Sequence, residues 1–137
     1  MENQSRTFFA TLLIASCLSA LSCEQEPRQT VFEGKVLRRD NAVPLTDVYV
    51  YITGHGIASI YTYPIINFTV PLDQDGGFRL VVPFQEGLRN FSVQVLPDNG
   101  PETVPFDISL TDCSPFNCEH FLVGKTYKFD IRVSEPD

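Results

Sequence analysis

The sequence predicts an all-β protein, a seven- to eight-stranded antiparallel β-sandwich that follows an N-terminal signal segment. No stretch repeats apolar residues every three to four positions, as an amphipathic helix would. Short runs alternate apolar and polar residues instead, and each run is bounded by Gly, Pro, Asn or Asp. The chain has 137 residues, which is room for one such domain. A barrel of the same strands is the alternative.

The first four predicted strands lie between residues 30 and 70. Residues 30–38 alternate two sets of side chains, and an Arg-Asp-Asn turn follows. Residues 47–53 alternate most clearly, with three aliphatic side chains on one face and Tyr, Tyr and Thr on the other. The Gly-His-Gly sequence that comes next is expected to break this strand and to place His55 in a flexible tip. Residues 57–63 and 65–70 form two further strands, divided by Pro64.

The remaining predicted strands lie between residues 78 and 133. Asp73, Asp75 and Gly76 resemble the start of a calcium loop, but the late carboxylate of such a loop is absent, so a turn is predicted. Residues 78–82 leave this turn as a strand. The strands that follow are residues 90–96, 104–110 and 126–133, and the last of them alternates four apolar side chains with three charged ones.

The start of the chain is typical of an export signal. Residues 7–23 carry no charged side chain, follow Arg6 and end in small residues beside a cysteine. This run resembles a bacterial lipoprotein signal, in which the cysteine is lipidated and becomes the new N-terminus. The resemblance implies a signal peptide at residues 1–22 and a tether at 23–29, so the β-sandwich domain predicted from the strand pattern occupies residues 30–137.

Two cysteines compete for the lipid. Cys17 fits the usual lipobox letters better, but lipidation there would leave an apolar segment as the tether. With Cys23 lipidated, Cys113 and Cys118 remain as an even pair for a disulfide, so Cys23 is the predicted site. An ordinary secretory cleavage after Ala20 is the alternative. The acidic residues that follow resemble the surface-export signal of Bacteroidetes lipoproteins, which implies anchoring at the outer membrane or cell surface.

Composition and motifs argue against several functions. The net charge of −7 opposes binding of nucleic acid phosphates. The sequence contains no nucleophile elbow, zincin motif or phosphate loop, and it has only two histidines. We therefore predict no catalytic residue, no cofactor and no metal site. A small carboxylate-dependent hydrolase is the alternative, because acids that are distant in the sequence can meet in a fold.

Four tyrosines mark a candidate ligand surface. Tyr49 and Tyr51 share one face of a predicted strand, and Tyr61 and Tyr63 share a face of a later one. They lie in residues 48–72, which contain no charged side chain. An uncharged stretch with these aromatic rings is suited to a sugar or a peptide. Cross-strand packing that merely stabilises the sheet is the alternative.

Several segments together resemble the carboxypeptidase regulatory-like domain. Its pattern is a G-x-V first strand, a P-L-x-x-V-x-V second strand, a T-x-x-D-G-x-F turn and a later aromatic strand. The matching segments are Gly34-Lys35-Val36, Pro44 to Val50, Thr69 to Phe78 and Phe91 to Val95. The resemblance covers about residues 30–96. It implies a transthyretin-like sandwich of seven strands, similar to immunoglobulin-like sandwiches, and a non-catalytic accessory role.

These features predict an exported, membrane-anchored lipoprotein. We expect it to act as a binding or assembly module whose partners are the lipid of the membrane and an envelope protein or glycan. Docking could use a sheet face, an edge strand or a loop. A structural subunit of a surface polymer is the second alternative, beside the hydrolase.

Overall fold

The computed structural model describes residues 28–100, 102–109 and 118–134, and it confirms the all-β class. These residues form two sheets and no helix. None of the described segments could therefore cross a membrane as a helix. The predicted signal peptide, the tether up to residue 27 and Cys113 lie outside the described residues. The strands are β1 (Thr30–Arg38), β2 (Val48–Ala58), β3 (Tyr61–Val70), β4 (Gly77–Val82), β5 (Asn90–Pro97), β6 (Phe106–Ile108), β7 (Cys118–Leu122), β8 (Thr126–Lys128) and β9 (Ile131–Val133).

The two sheets pack face to face as a sandwich. One has the strand order β4-β1-β9-β6, with β8 also paired to β1, and the other has the order β3-β2-β5-β7. Aromatic side chains join the two layers at the centre. The Phe32 ring of β1 meets the edges of Phe91 and Phe121 of the other sheet, with ring centroids 5.2 and 5.5 Å apart. All three rings are buried, and burial of a Phe side chain contributes about 1.5–3 kcal/mol to folding.

The last two described strands pair in parallel with the first, which the antiparallel expectation did not include. The predicted strand 126–133 is divided into β8 and β9, and both lie beside β1 in one continuous register. The alternation across the break is as predicted, because Phe129, Ile131 and Val133 are buried. At the break, the Phe129 amide donates to the Glu33 carbonyl at 3.1 Å.

The prediction that residues 54–56 and Pro64 would each interrupt a strand was wrong. β2 runs through Gly54 and Gly56 to Ala58, and β3 runs through Pro64. Each glycine leaves room for a side chain that packs against it: an added Cβ would lie 2.6 Å from Leu88 at Gly54 and 2.8 Å from Ile65 at Gly56. Pro64 is tolerated because β3 is an edge strand of the described sheet, and a register shift accompanies it. These glycines therefore allow close packing and do not end the strand.

Candidate functional site

Three adjacent strands of the four-stranded sheet carry no charge. β2, β3 and β5 have 11, 10 and 8 residues and contain no Asp, Glu, Lys or Arg, whereas 20% of the whole chain is charged. Every strand of the other sheet carries at least one charged residue. We call the outer side of β2, β3 and β5 the neutral face. Its side chains are Tyr49, Tyr51, Thr53, His55, Asn67, Thr69, Asn90, Ser92, Gln94 and Leu96.

The register of the strands brings these side chains together. Tyr51 lies directly opposite Thr69 on β3 and Gln94 on β5. Thr53 lies opposite Asn67 and Ser92 in the same way. Opposite residues on one face have Cβ atoms about 5 Å apart, so their polar groups can contact one ligand together. Residues 90–96 were predicted as a strand, but their polar face was not assigned to the site.

His55 lies on the neutral face and not in a flexible tip, so that expectation was wrong. Its Nε2 atom is 2.8 Å from the Oγ atom of Ser92, and its carbonyl accepts a hydrogen bond from the Arg89 amide. Ser92 is buried, and so is Thr53 opposite it, so two buried hydroxyl groups lie at the base of the neutral face. Beside them, Asn90 Oδ1 is buried without a hydrogen-bond partner among the described residues. The neutral face therefore combines imidazole, hydroxyl and carboxamide groups.

The structure divides the four predicted tyrosines into two pairs. Tyr49 and Tyr51 are half-buried on the neutral face. Tyr61 and Tyr63 lie at the tip of the β2–β3 hairpin, where they are 71% and 46% exposed. The Tyr63 ring covers Gly56 on the opposite side of the sheet from Tyr51. The four rings therefore do not form a single surface, because the alternation of β2 continues past residue 53.

A groove on the five-stranded sheet gathers carboxylates. It has a volume of about 1030 Å³, and Glu33, Asp73 and Asp130 contribute to its lining. Lys128 lies 3.0 Å from Glu33, and this hydrogen bond, together with the charges of Lys128 and Arg79, lowers the pKa of Glu33. This is the opposite of the raised pKa that a general acid needs.

Asp73 also has a structural role in this groove. Its Oδ1 atom accepts hydrogen bonds from the amides of Asp75 and Gly77, both at 2.8 Å. These contacts confirm the predicted turn, which joins β3 of one sheet to β4 of the other. Within the described residues, no three His, Cys, Asp or Glu side chains are grouped so that they could hold a metal ion.

Cys118 begins the edge strand β7, which the sequence did not predict. It is fully buried opposite Val93 and is disulfide-bonded. Cys113, its predicted partner, lies outside the described residues, so the pairing stays a prediction. Cys17 and Cys23 also lie outside them.

Comparisons with known proteins leave the family of this chain open. No family model matches it, and no curated protein does. Among solved structures, it is similar to part of a 9R-lipoxygenase from Cyanothece PCC8801, with 13% sequence identity and a TM-score of 0.37. The match covers 99% of this chain and 24% of the lipoxygenase chain. The chain thus spans about a quarter of that structure, and so low a similarity carries no functional argument.

Proposed function

We propose that the protein is an envelope-anchored lipoprotein that acts as a non-catalytic binding module, with an uncharged glycan as its ligand on the neutral face. The observation that carries this proposal is the absence of charge from three adjacent strands, whereas every strand of the other sheet carries at least one charged residue. Export and lipidation at Cys23 are inferred from the sequence. The accessory role is inferred from the resemblance to a carboxypeptidase regulatory-like domain.

The chemistry of the neutral face suits sugar hydroxyl groups. Each hydroxyl donates one hydrogen bond and accepts others, and the hydroxyl, carboxamide and imidazole groups of the face can do the same. The rings of Tyr49 and Tyr51 add apolar surface with a polar tip, which suits the apolar side of a pyranose ring. A charged ligand would leave its charge unpaired on this face, at a cost in desolvation. An uncharged polysaccharide therefore fits better than an acidic one.

Two other functions fit the structure less well. A surface polymer built by strand exchange needs a terminal strand that detaches, but β1 pairs with three other strands and β9 lies between β1 and β6. A carboxylate-dependent hydrolase gains support from the three acids of the groove. However, Lys128 and Arg79 favour the ionised form of Glu33. Asp73 Oδ1 already accepts two hydrogen bonds from backbone amides of the turn.

A binding assay with matched variants tests the glycan proposal. Affinity electrophoresis of the full chain is run in gels that contain uncharged or acidic polysaccharides. We expect retardation by an uncharged polysaccharide, and a loss of affinity of about tenfold, or about 1.4 kcal/mol, for Tyr51→Ala. Lys35→Ala, on the other sheet, is the control and should bind like the wild type. Equal binding by both variants, or retardation by acidic polysaccharides alone, would contradict the proposal.

A further inference from the structure

The start of β1 lies at one end of the sandwich, together with the β2–β3, β4–β5 and β7–β8 connections. The Gly124 amide donates to Thr30 Oγ1 at 2.9 Å, and Thr30 lies opposite Val82, the last residue of β4. The Arg89 amide donates to the His55 carbonyl, just before the tip of the β2–β3 hairpin. We call this the tether end, because the chain enters the described domain here. It comprises residues 28–30, the hairpin tip at 57–64, the loop 83–89, Leu122 and the turn 123–125.

Exposed apolar side chains concentrate at the tether end. Among the described residues, seven large apolar side chains are exposed, and only Val43 lies at the opposite end. Ile60 is the most exposed of them, at 82%. The six at the tether end are Ile57, Ile60, Tyr61, Tyr63, Phe84 and Leu122. Single exposed apolar residues need no explanation, but several of them at one end are a feature of interaction sites.

Charge is distributed unevenly between the two ends. The described connections at the tether end carry three cations, Arg28, Arg89 and Lys125, and one carboxylate, Glu86. The described connections at the opposite end carry one cation, Arg39. Their six carboxylates belong to Asp40, Asp47, Asp73, Asp75, Asp98 and Glu102. A negatively charged surface would therefore repel the opposite end more strongly than the tether end.

We propose that the tether end lies against the lipid bilayer, with Ile60, Tyr61 and Phe84 in its interface. The proposal rests on the membrane attachment in the proposed function, but it is independent of glycan binding. Arg28 follows Cys23 by five residues, which span at most about 18 Å when fully extended. A lipid on Cys23 would therefore keep the tether end near the membrane surface.

The chemistry of this end fits a bilayer interface. Tyr is enriched where membranes meet water, because its ring is apolar and its hydroxyl is polar. The hairpin tip at 57–64 contains no charged side chain that would resist entry into the headgroup region. The three nearby cations can meet anionic headgroups. In this orientation the bilayer contacts one end of the sandwich. The neutral face is a side of the sandwich, so it remains open to a glycan.

The chain contains no Trp, so one introduced Trp reports on a single position. Full-length protein carrying Ile60→Trp is reconstituted into vesicles of phosphatidylethanolamine and phosphatidylglycerol, with or without bromine on the acyl chains close to the headgroup. Val43→Trp, at the opposite end, is the matched control. We expect Ile60→Trp emission to shift to shorter wavelength in vesicles and to lose intensity with brominated lipid, whereas Val43→Trp should do neither.

Other results would overturn the proposal. Ile60→Trp could remain unquenched on vesicles, or both variants could be quenched equally. A shift to shorter wavelength without quenching would indicate cover by a second copy or another protein, and protein that fails to join the vesicles also counts against it. The Tyr51→Ala glycan assay is a separate readout. Normal glycan binding with an unquenched Ile60→Trp would refute the bilayer contact alone, and the reverse pattern would refute the glycan proposal alone.

Discussion

At the residue scale, Gly34 shows most clearly why a small side chain is required. It lies in the middle of β1, where the chain on its parallel side is interrupted between β8 and β9. The Phe129 carbonyl turns toward Gly34 at this interruption, and an added Cβ would overlap its oxygen. The Cβ is fixed directly to the backbone of residue 34 and the Phe129 atoms that it meets are backbone atoms, so no change of side-chain rotamer can relieve the overlap. Gly34 therefore permits the parallel pairing of β8 and β9 with β1.

We expect Gly34→Ala to prevent this pairing and to lower the free energy of unfolding by at least about 4 kcal/mol. Gly100→Ala is the control, because nothing lies within 4 Å of its added Cβ; it should change stability by less than about 0.5 kcal/mol. Urea unfolding of both variants, followed by circular dichroism, measures the difference. If Gly34→Ala fails to fold while Gly100→Ala folds, the expectation is met. Equal stabilities would mean that the parallel pairing is absent in solution.

At the element scale, the predicted strands were most accurate where the alternation was uninterrupted. β1 was predicted at residues 30–38 and has those bounds, and β4 begins one residue before its prediction. The errors at 54–56 and Pro64 arose because Gly and Pro were interpreted by their local preference. In the fold, the glycines make room for Leu88 and Ile65, which pack against them. β7 was missed because its pairing with β5 depends on distant residues.

The candidate site was predictable only in part, for the same reason. Tyr49 and Tyr51 could be placed on one face by alternation, and the lack of charge in 48–72 was visible in the sequence. The union of these residues with Ser92 and Gln94 depends on the pairing of β2 with β5, which a single sequence does not show. The separation of Tyr61 from Tyr51 depends on β2 continuing beyond residue 53.

An ion-pair cluster also connects elements, and it predicts a pH dependence. Glu33 on β1 lies 3.0 Å from Lys128 on β8 and 3.4 Å from Arg79 on β4. The Lys128 hydrogen bond, then the charges of both cations, lower the pKa of Glu33 in the folded protein. The ionised form is therefore favoured by folding. Its stabilising effect is complete above the pKa of the unfolded chain and is lost as the pH falls through the lower folded pKa.

Glu33→Gln should remove this part of the acid sensitivity. We expect the stability difference between wild type and Glu33→Gln to be largest near neutral pH and to shrink below about pH 4. Urea unfolding midpoints from about pH 7 to about pH 3 would measure it. Glu86→Gln removes an exposed carboxyl from a loop and separates the effect of the ion pairs from that of total charge. A difference that stays constant across the range would show that Glu33 ionises equally in both states.

At the scale of the whole molecule, the two ends of the sandwich differ in both charge and hydrophobicity. The tether end is apolar and its described connections carry three cations and one carboxylate, while those of the opposite end carry six carboxylates. This polarity has a consistent direction with respect to the predicted N-terminal tether, because β1 begins at the apolar end. The outer faces of the two sheets lie between these two ends, so a ligand can approach them. The proposed anchor at Cys23 would therefore determine how the rest of the molecule is oriented.

Intact mass spectrometry of the protein extracted from membranes tests that anchor together with the cysteine pairing. We expect a chain that begins at Cys23 with a diacyl or triacyl adduct, and the adduct should be lost in Cys23→Ala. Cys17→Ala should retain it, because residue 17 belongs to the predicted signal peptide. If Cys113 and Cys118 are paired, reduction should add the mass of two hydrogens, since Cys23 is blocked by lipid. An unmodified chain beginning at Leu21 in the medium would refute the anchor, and an adduct lost only in Cys17→Ala would place it six residues earlier.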